Sequence, residues 1–347
     1  MTDHSKQEDQ SNAETRRARG EFVRGVSGFR HSIGDPDFPA EPNRYHLFVA
    51  LNCPWCHRVT LARNLLGLQG SISMDVAFPN RTGEDHPDGP NHWQFAPEQV
   101  ASLTGSPLPE CTDETGTGQG FELVREIYRA EVADERSVPI LYDKKTNRIV
   151  NNESAELIRM LDHHATALGG SRSVSEQQKL YPDELELRSE IDDLNERIYV
   201  NINNGAYKAG FSSDQAIYAK AFENYFETLA QLEARLAGDE RPFLTGNTFT
   251  EADLRLFPTL YRHDPVYYLR MKLNGAKILD YPHLWRWLCR VHSLPGVAQS
   301  SSLDHCRQGY FGRSWNGVIP LGPFEPMSYP EAYMHPELAR PIGQVQS

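Results

Sequence analysis

The stretch "YHLFVALNCPWCHRVTLARNLLGL", Tyr45 to Leu68, constrains the fold more than any other part of the chain. An apolar, aromatic run suited to a buried strand ends at Asn52, and Cys53-Pro54-Trp55-Cys56 follows at once. From Trp55 onward, Val59, Leu61, Ala62, Leu65 and Leu66 fall on one helical face. Pro54 suits the first helical position, where an N–H has no intrahelical partner in any case. The pattern predicts Cys53 at a strand-to-helix junction, beside unpaired backbone N–H groups and the positive end of the helix dipole. That environment lowers a thiol's pKa and enriches the reactive thiolate. His57 and Arg58 add positive charge nearby. Cys56, one turn on, is expected to lie deeper, and inert burial is the competing reading for it because free cysteine is among the most buried residue types.

The other cysteines narrow the chemistry. Five of them, an odd number in 347 residues, do not make a disulfide framework, so a reducing, cytoplasmic setting is expected. Cys111, Cys289 and Cys306 are scattered, and without a second cysteine pair no metal site is expected. A net charge of −12, from 35 basic and 47 acidic side chains, disfavours nucleic acid and anionic membrane as partners. No apolar run approaches the ~20 residues of a membrane span. The opening "MTDHSKQEDQSNAETRRARG" has no apolar core of the kind a secretory signal carries.

Element order predicts two domains. "SISMDVAF" reads as a second strand and "GFELVREIYRAEV" as a helix, with the Gly-, Pro- and Asp-rich stretch 79–120 between them as a functional loop. "SVPILYDKKTNRIVNNESAELIRML" packs strand, turn, strand and helix into one span, which gives a small mixed sheet in an α/β domain. From Tyr181 the pattern changes to long amphipathic helices, placing the junction between Thr166 and Tyr181. The expected division is a partly disordered extension over 1–43, a sheet domain over 44–170, an all-helical domain over 171–323, and a tail over 324–347. Within the helical half, Thr250 followed by Asp253 before an apolar run forms a capping box with no chemical role.

Two further features bear on a ligand. Pro139 opens an apparent strand, where it removes a ladder hydrogen bond; an edge strand is one explanation. Thioredoxin-like folds offer another, a cis proline that faces the reactive cysteine and turns the neighbouring backbone toward a peptide. Glu153 and Ser154 in "NNESAEL" stand at a helix start, where backbone and hydroxyl donors suit a carboxylate. A plain helix cap is the competing reading.

Taken in order, "CPWCHR", "VPILYDKKTNRIVNNESAELIRML", "ERIYVNINNGAYKAGF", "TFTEADLRLF", "HDPVYY" and "DYPHLW…PGVA" resemble the Xi-class glutathione transferases, the glutathionyl-hydroquinone reductases. The likeness runs from Phe22 to Pro323. It implies a thioredoxin-like N-terminal domain, an all-helical C-terminal domain and a homodimer that takes glutathione as co-substrate without a metal. By the same resemblance Cys53 is the nucleophile, Trp93 in "NHWQF" covers glutathione, Val138 supplies a backbone contact, and Glu153 and Ser154 hold the γ-glutamyl end. Tyr207 in "GAYKAGF" and Tyr310 in "GYFGRSW" are implied to line the hydroquinone site, where phenols can hydrogen-bond ring hydroxyls. On the residues alone, Trp93 also reads as a loop anchor, and the two tyrosines as core residues with satisfied hydroxyls. Arg136 is the candidate cation for the glycyl carboxylate.

Cys56 departs from the family, which more often carries alanine there. A second thiol one turn away opens a glutaredoxin-like dithiol route. The competing functions are therefore a glutathione-dependent reductase of glutathionyl-hydroquinones, a general glutathione transferase or thiol oxidoreductase, and a non-enzymatic binding protein that keeps the fold.

Overall fold

A computed structural model describes residue 14 and residues 16–104, 116–170, 179–238, 241–312 and 317–320. Cys111, residues 171–178 of the expected domain junction, most of the expected N-terminal extension before Arg16 and the whole of the expected tail lie outside the described residues. Four strands form one sheet: β1 (Tyr45–Val49), β2 (Ser73–Val76), β3 (Ile140–Asp143) and β4 (Arg148–Asn151). The principal helices are α1 (Pro54–Leu65), α2 (Pro97–Thr104), α3 (Val124–Ala130), α4 (Ser154–His164), α5 (Leu185–Arg197), α6 (Asn204–Phe211), α7 (Gln215–Gly238), α8 (Glu251–Arg262), α9 (Pro282–His292) and α10 (Leu303–Phe311).

The chain divides into two compact units. One gathers Ser27–Glu184 and takes in residues from Arg290 onward, α10 among them. Its sheet has the order β2-β1-β3-β4. β1 runs parallel to β2 and antiparallel to β3, and β3 runs antiparallel to β4. Every residue of β1 is buried, as a central strand covered on both faces requires. The crossover from β1 to β2 is α1, whose twelve residues are all buried. A hairpin joins β3 to β4, and Asp143 builds its turn by accepting from the Lys145 N–H (2.9 Å) and the Thr146 hydroxyl (2.7 Å). Asn147 there takes a φ of 55°, a left-handed conformation that asparagine tolerates.

Two local readings change. Pro139 precedes β3, an inner strand flanked by β1 and β4, which removes the edge-strand explanation. The 79–120 stretch carries α2, eight residues opened by Pro97 with Glu98 in the first turn. A helix that short spans too few turns for hydrophobic periodicity to show in the sequence. Residues of the lead-in also pack as part of the sheet unit. Arg30 bridges to Asn151, the His31 N–H donates to the Val150 carbonyl, and Ile33 and Phe38 are buried.

The second unit is built on Leu185–Cys289 with the lead-in up to Val26. α5 passes through a wide π turn, Ile198–Asn203, directly into α6. Asn203 pins that turn by donating to the Arg255 carbonyl (3.1 Å) and the Thr259 hydroxyl (2.8 Å) on α8. The capping box appears as expected: the Thr250 N–H donates to Asp253 Oδ2 at 3.0 Å. Asp253 does more than cap, since its Oδ1 also accepts from the Leu244 N–H (2.9 Å) and the Trp287 indole (2.8 Å). Burial pushes its carboxyl up to about 6 against the pull of those donors. Among the described residues no helix is long and apolar enough to cross a membrane.

Asp253→Asn keeps the shape but turns an NH2 toward donors that need an acceptor. The substitution is expected to lower unfolding free energy by about 2–3 kcal/mol, the cost of buried unpaired polar groups. Urea denaturation followed by circular dichroism measures it, and a midpoint unchanged from wild type contradicts the assignment.

Candidate functional site

Cys53 is the N-cap of α1, with φ −81° and ψ 121° and Pro54 in the first helical turn. The helix start has no side-chain cap hydrogen bond and no acidic residue in its first turn. Its positive end is thus left without a carboxylate, as an anionic sulfur at the cap requires. The Cys53 thiol is half-buried and donates to the Val138 carbonyl at 3.8 Å. The Val138–Pro139 peptide bond is cis. Residues 85 positions apart are brought together because β1 and β3 pair antiparallel, with Phe48 opposite Ile140. The chain leaves β1 toward Cys53 at the same sheet end where it enters β3 from Val138.

Cys56 lies one turn in and is fully buried. Its sulfur accepts the Ala50 N–H at 3.4 Å, which ties the helix back to the end of β1. His57 and Arg58 are buried as well. His57 Nε2 lies 3.0 Å from the Ser301 hydroxyl, and the Arg58 guanidinium stacks on the Trp55 ring at 4.6 Å. Both basic side chains are thus buried within the sheet unit.

The strand directions place a second helix start beside the first. β1 and β4 are each antiparallel to β3 and so run the same way. α1 and α4 therefore both begin at the carboxyl end of their strands, the end at which open α/β sheets bind ligands. Glu153 is the N-cap of α4 and Ser154 its first residue. Glu153 Oε1 caps its own helix, accepting from the Ala155 N–H at 3.1 Å, while Oε2 lies 3.2 Å from the Ser27 hydroxyl. Ser154 Oγ is buried without a hydrogen-bond partner among the described residues. A buried hydroxyl in that state loses about 1–3 kcal/mol unless an incoming group satisfies it.

The remaining expected residues divide between the units. Trp93 is buried in the sheet unit with the Arg81 guanidinium 4.5 Å from its ring. Its carbonyl accepts from the Val124 N–H at the head of α3. Tyr310 stands on α10, which packs closely on the turn before Cys53. The Cys306 thiol donates to the Leu51 carbonyl (3.9 Å), and a Cβ on Gly309 would fall 2.1 Å from Asn52 Nδ2. Only glycine permits that approach. Tyr207 lies on α6 in the helical unit, half-buried among Phe22 (5.7 Å between ring centres), Phe211 (5.5 Å) and Tyr267 (6.5 Å). Arg136 is exposed. Sequence reasoning missed Tyr128, Ser137 and Asn152, which hydrogen-bond one another behind Val138. Their only sequence signal is the paired Asn151-Asn152 ahead of Glu153.

A thioredoxin-like sheet, a cysteine at a helix start and a facing carbonyl before a cis proline are the frame of thioredoxin-like proteins and fit the glutathione transferase class among them. Sequence comparison agrees: the glutathione S-transferase N-terminal domain family matches residues 52–164, and the C-terminal domain family matches residues 215–290. Glutathionyl-hydroquinone reductase YqjG of Escherichia coli is 37% identical over 334 residues, covering 91% of this chain and 93% of that protein. Glutathionyl-hydroquinone reductase PcpF of Sphingobium chlorophenolicum is 36% identical, covering 90% and 93%. Among solved structures, glutathione-bound YqjG superposes with a TM-score of 0.73 at 36% identity, covering 93% of this chain and 98% of that one. The Xi transferase of Phanerochaete chrysosporium gives 0.73 at 34% identity, covering 88% and 99%. The chain belongs to the glutathione transferase family, in its Xi class.

The burial pattern ranks the thiols. Under native conditions iodoacetamide is expected to modify Cys53 first among the four described cysteines. Cys289, whose thiol burial pushes up to about 12, should follow slowly, and Cys56 and Cys306 should react only on unfolding. Peptide mass spectrometry over a time course reads the order; Cys56 reacting as fast as Cys53 contradicts it.

Proposed function

We propose that the protein is a glutathione-dependent reductase that removes glutathione from glutathionyl-hydroquinones. The observation that carries this reading is the position of Cys53, a half-buried thiol at an uncapped helix start facing the Val138 carbonyl. The Cys53 thiolate attacks the sulfur of the conjugate and forms an S–S bond as the sulfur–aryl bond breaks. The ring takes up a proton and leaves as hydroquinone. Cys53 remains as a mixed disulfide with glutathione. A second glutathione, as thiolate, attacks the glutathione sulfur of that disulfide, releasing oxidised glutathione and regenerating the Cys53 thiolate. Across the cycle one glutathione thiol and the thioether sulfur of the conjugate are oxidised to a disulfide, and the carbon–sulfur bond of the ring is reduced to carbon–hydrogen. Exchange of this kind is fastest when the attacking thiol titrates near ambient pH.

Glutathione lies with its cysteinyl backbone along Val138 and its γ-glutamyl end at the start of α4. The unpaired Ser154 hydroxyl fits a γ-glutamyl carboxylate, which supplies the acceptor it lacks. Glu153 retains lone pairs for the γ-glutamyl ammonium beyond those its cap uses. Trp93 covers the tripeptide. Tyr207 and Tyr310 hydrogen-bond the ring hydroxyls and polarise the departing ring. Cys56 takes no part: its sulfur is buried and receives the Ala50 N–H. Conjugation of glutathione to electrophiles is disfavoured as the main activity, because a cysteine at the cap is trapped by the mixed disulfide, whereas a hydroxyl activates glutathione and stays free. The protein works in the cytoplasm as a homodimer.

Cys53→Ala is expected to reduce kcat/KM toward a glutathionyl-hydroquinone by more than about a thousandfold, and Cys56→Ala to change it by less than about threefold. Intact-protein mass spectrometry of wild type given one equivalent of conjugate should show a glutathione adduct on Cys53. Equal losses in the two variants mean that both thiols are required, and the one-cysteine cycle is wrong. Light scattering on the eluting protein should give about twice the 39.4 kDa chain mass; a monomer mass excludes the homodimer.

A further inference from the structure

Glutathione, as placed above, is held at two anchors: Val138 for its cysteinyl backbone, and Glu153 with Ser154 for its γ-glutamyl end. Neither anchor by itself sets the distance to the other. A buried relay joins them. Asn152 Nδ2 donates to Tyr128 Oη at 3.0 Å, and Tyr128 Oη donates to the Ser137 carbonyl at 2.9 Å. Ser137 immediately precedes Val138, and Asn152 immediately precedes Glu153. The relay therefore ends one residue from each anchor.

Both members are locked in place. Tyr128 is fully buried, with its ring 5.7 Å from that of Phe29. Asn152 is buried too; its Nδ2 also donates to Glu135 Oε2 (2.7 Å), and its Oδ1 accepts from the Phe29 N–H (3.2 Å). With acceptors facing its nitrogen and a donor facing its oxygen, the amide has one orientation. Glu135 is held in turn by the Gly28 N–H at 3.1 Å. Each anchor keeps its own fastening without the relay. The Glu153 N–H donates to Asn151 Oδ1 (2.7 Å), and Ile140, two residues after Val138, pairs with Phe48 in the sheet. The β3–β4 ladder, with Leu141 opposite Asn151, joins the strands that carry them, and the relay adds a second tie between the residues just beyond its end.

We propose that Tyr128 and Asn152 are positioning residues that fix the spacing of the two anchors, so that the site selects a γ-glutamyl tripeptide over shorter thiols. The inference rests on the glutathione reading above. A rigid two-point site gains affinity only for a ligand long enough to reach both points, because the spacing is set before binding. A ligand that touches Val138 alone is indifferent to that spacing.

Two thiol-blocked ligands separate these cases: S-methylglutathione, which reaches both anchors, and S-methylcysteinylglycine, which lacks the γ-glutamyl end. Calorimetric titration of the wild type, by competition for the weaker ligand, should show a clear preference for the first. Tyr128→Phe, which removes one oxygen and keeps the ring, is expected to weaken S-methylglutathione about tenfold, the effect of one hydrogen bond, and S-methylcysteinylglycine less than twofold. Asn152→Ser, whose side chain does not reach Tyr128, should give the same pattern and guards against a folding defect in the first variant. Equal weakening of both ligands, or no weakening of either, overturns the inference while leaving the glutathione site intact. A wild type without preference for the tripeptide overturns the site itself, and the role of the relay with it.

Discussion

The pairing of β1 with β3 is the constraint on which the site depends. With Phe48 opposite Ile140, the α1 cap and the residue before Pro139 meet at one end of the sheet, and the Cys53 thiol lies against the Val138 carbonyl. Strand side chains alternate between faces, and β1 is buried on both, so a slip of one residue would exchange the side chains it sends into the two packed layers. The register that packs β1 is therefore the register that builds the site. Stability and chemistry are not separable here, because the same ladder specifies both.

The two helix starts at that sheet end are electrostatically different. α1 begins with no acidic residue in its first turn, and its cap is Cys53. α4 begins with Glu153 capping its own backbone and with Glu156 in the first turn, where Arg30 and Asn151 engage it. The dipole of α1 is not offset by a carboxylate of its own first turn, whereas that of α4 is partly offset by its own carboxylates. The donor at α4 that remains unsatisfied is the Ser154 hydroxyl.

The helical unit is organised around buried polar residues that hold irregular backbone. Asn203 secures the π turn ahead of Tyr207. His263 sits in the second π turn, Nδ1 2.8 Å from the Tyr225 hydroxyl and Nε2 2.9 Å from the Ala276 carbonyl. Burial lowers the His263 pKa, so the ring is neutral, donating through Nε2 and accepting from Tyr225. Asp264 beside it accepts the Ile278 and Leu279 N–H groups at 2.6 and 3.3 Å. Wide turns of this kind recur at functional sites, and the first of these leads into the helix that carries Tyr207.

Local signals carried a large part of this molecule. An apolar run ending in Cys53-Pro54, the Thr250–Asp253 box and the Asn-Glu-Ser junction each act within a few residues, so composition and spacing alone fix the strand end, the helix starts and the capped carboxylate. The order of elements likewise determined a mixed sheet followed by helices. Tertiary structure decided what depends on partners far apart in the chain. It showed that Pro139 leads an inner strand, that His57 and Arg58 are buried, that α10 packs onto Asn52, and that Tyr128 links Ser137 to Asn152. The division has a physical cause. A helix cap is an interaction of neighbours, whereas burial and relayed hydrogen bonds exist only after the sheet has brought distant residues within reach.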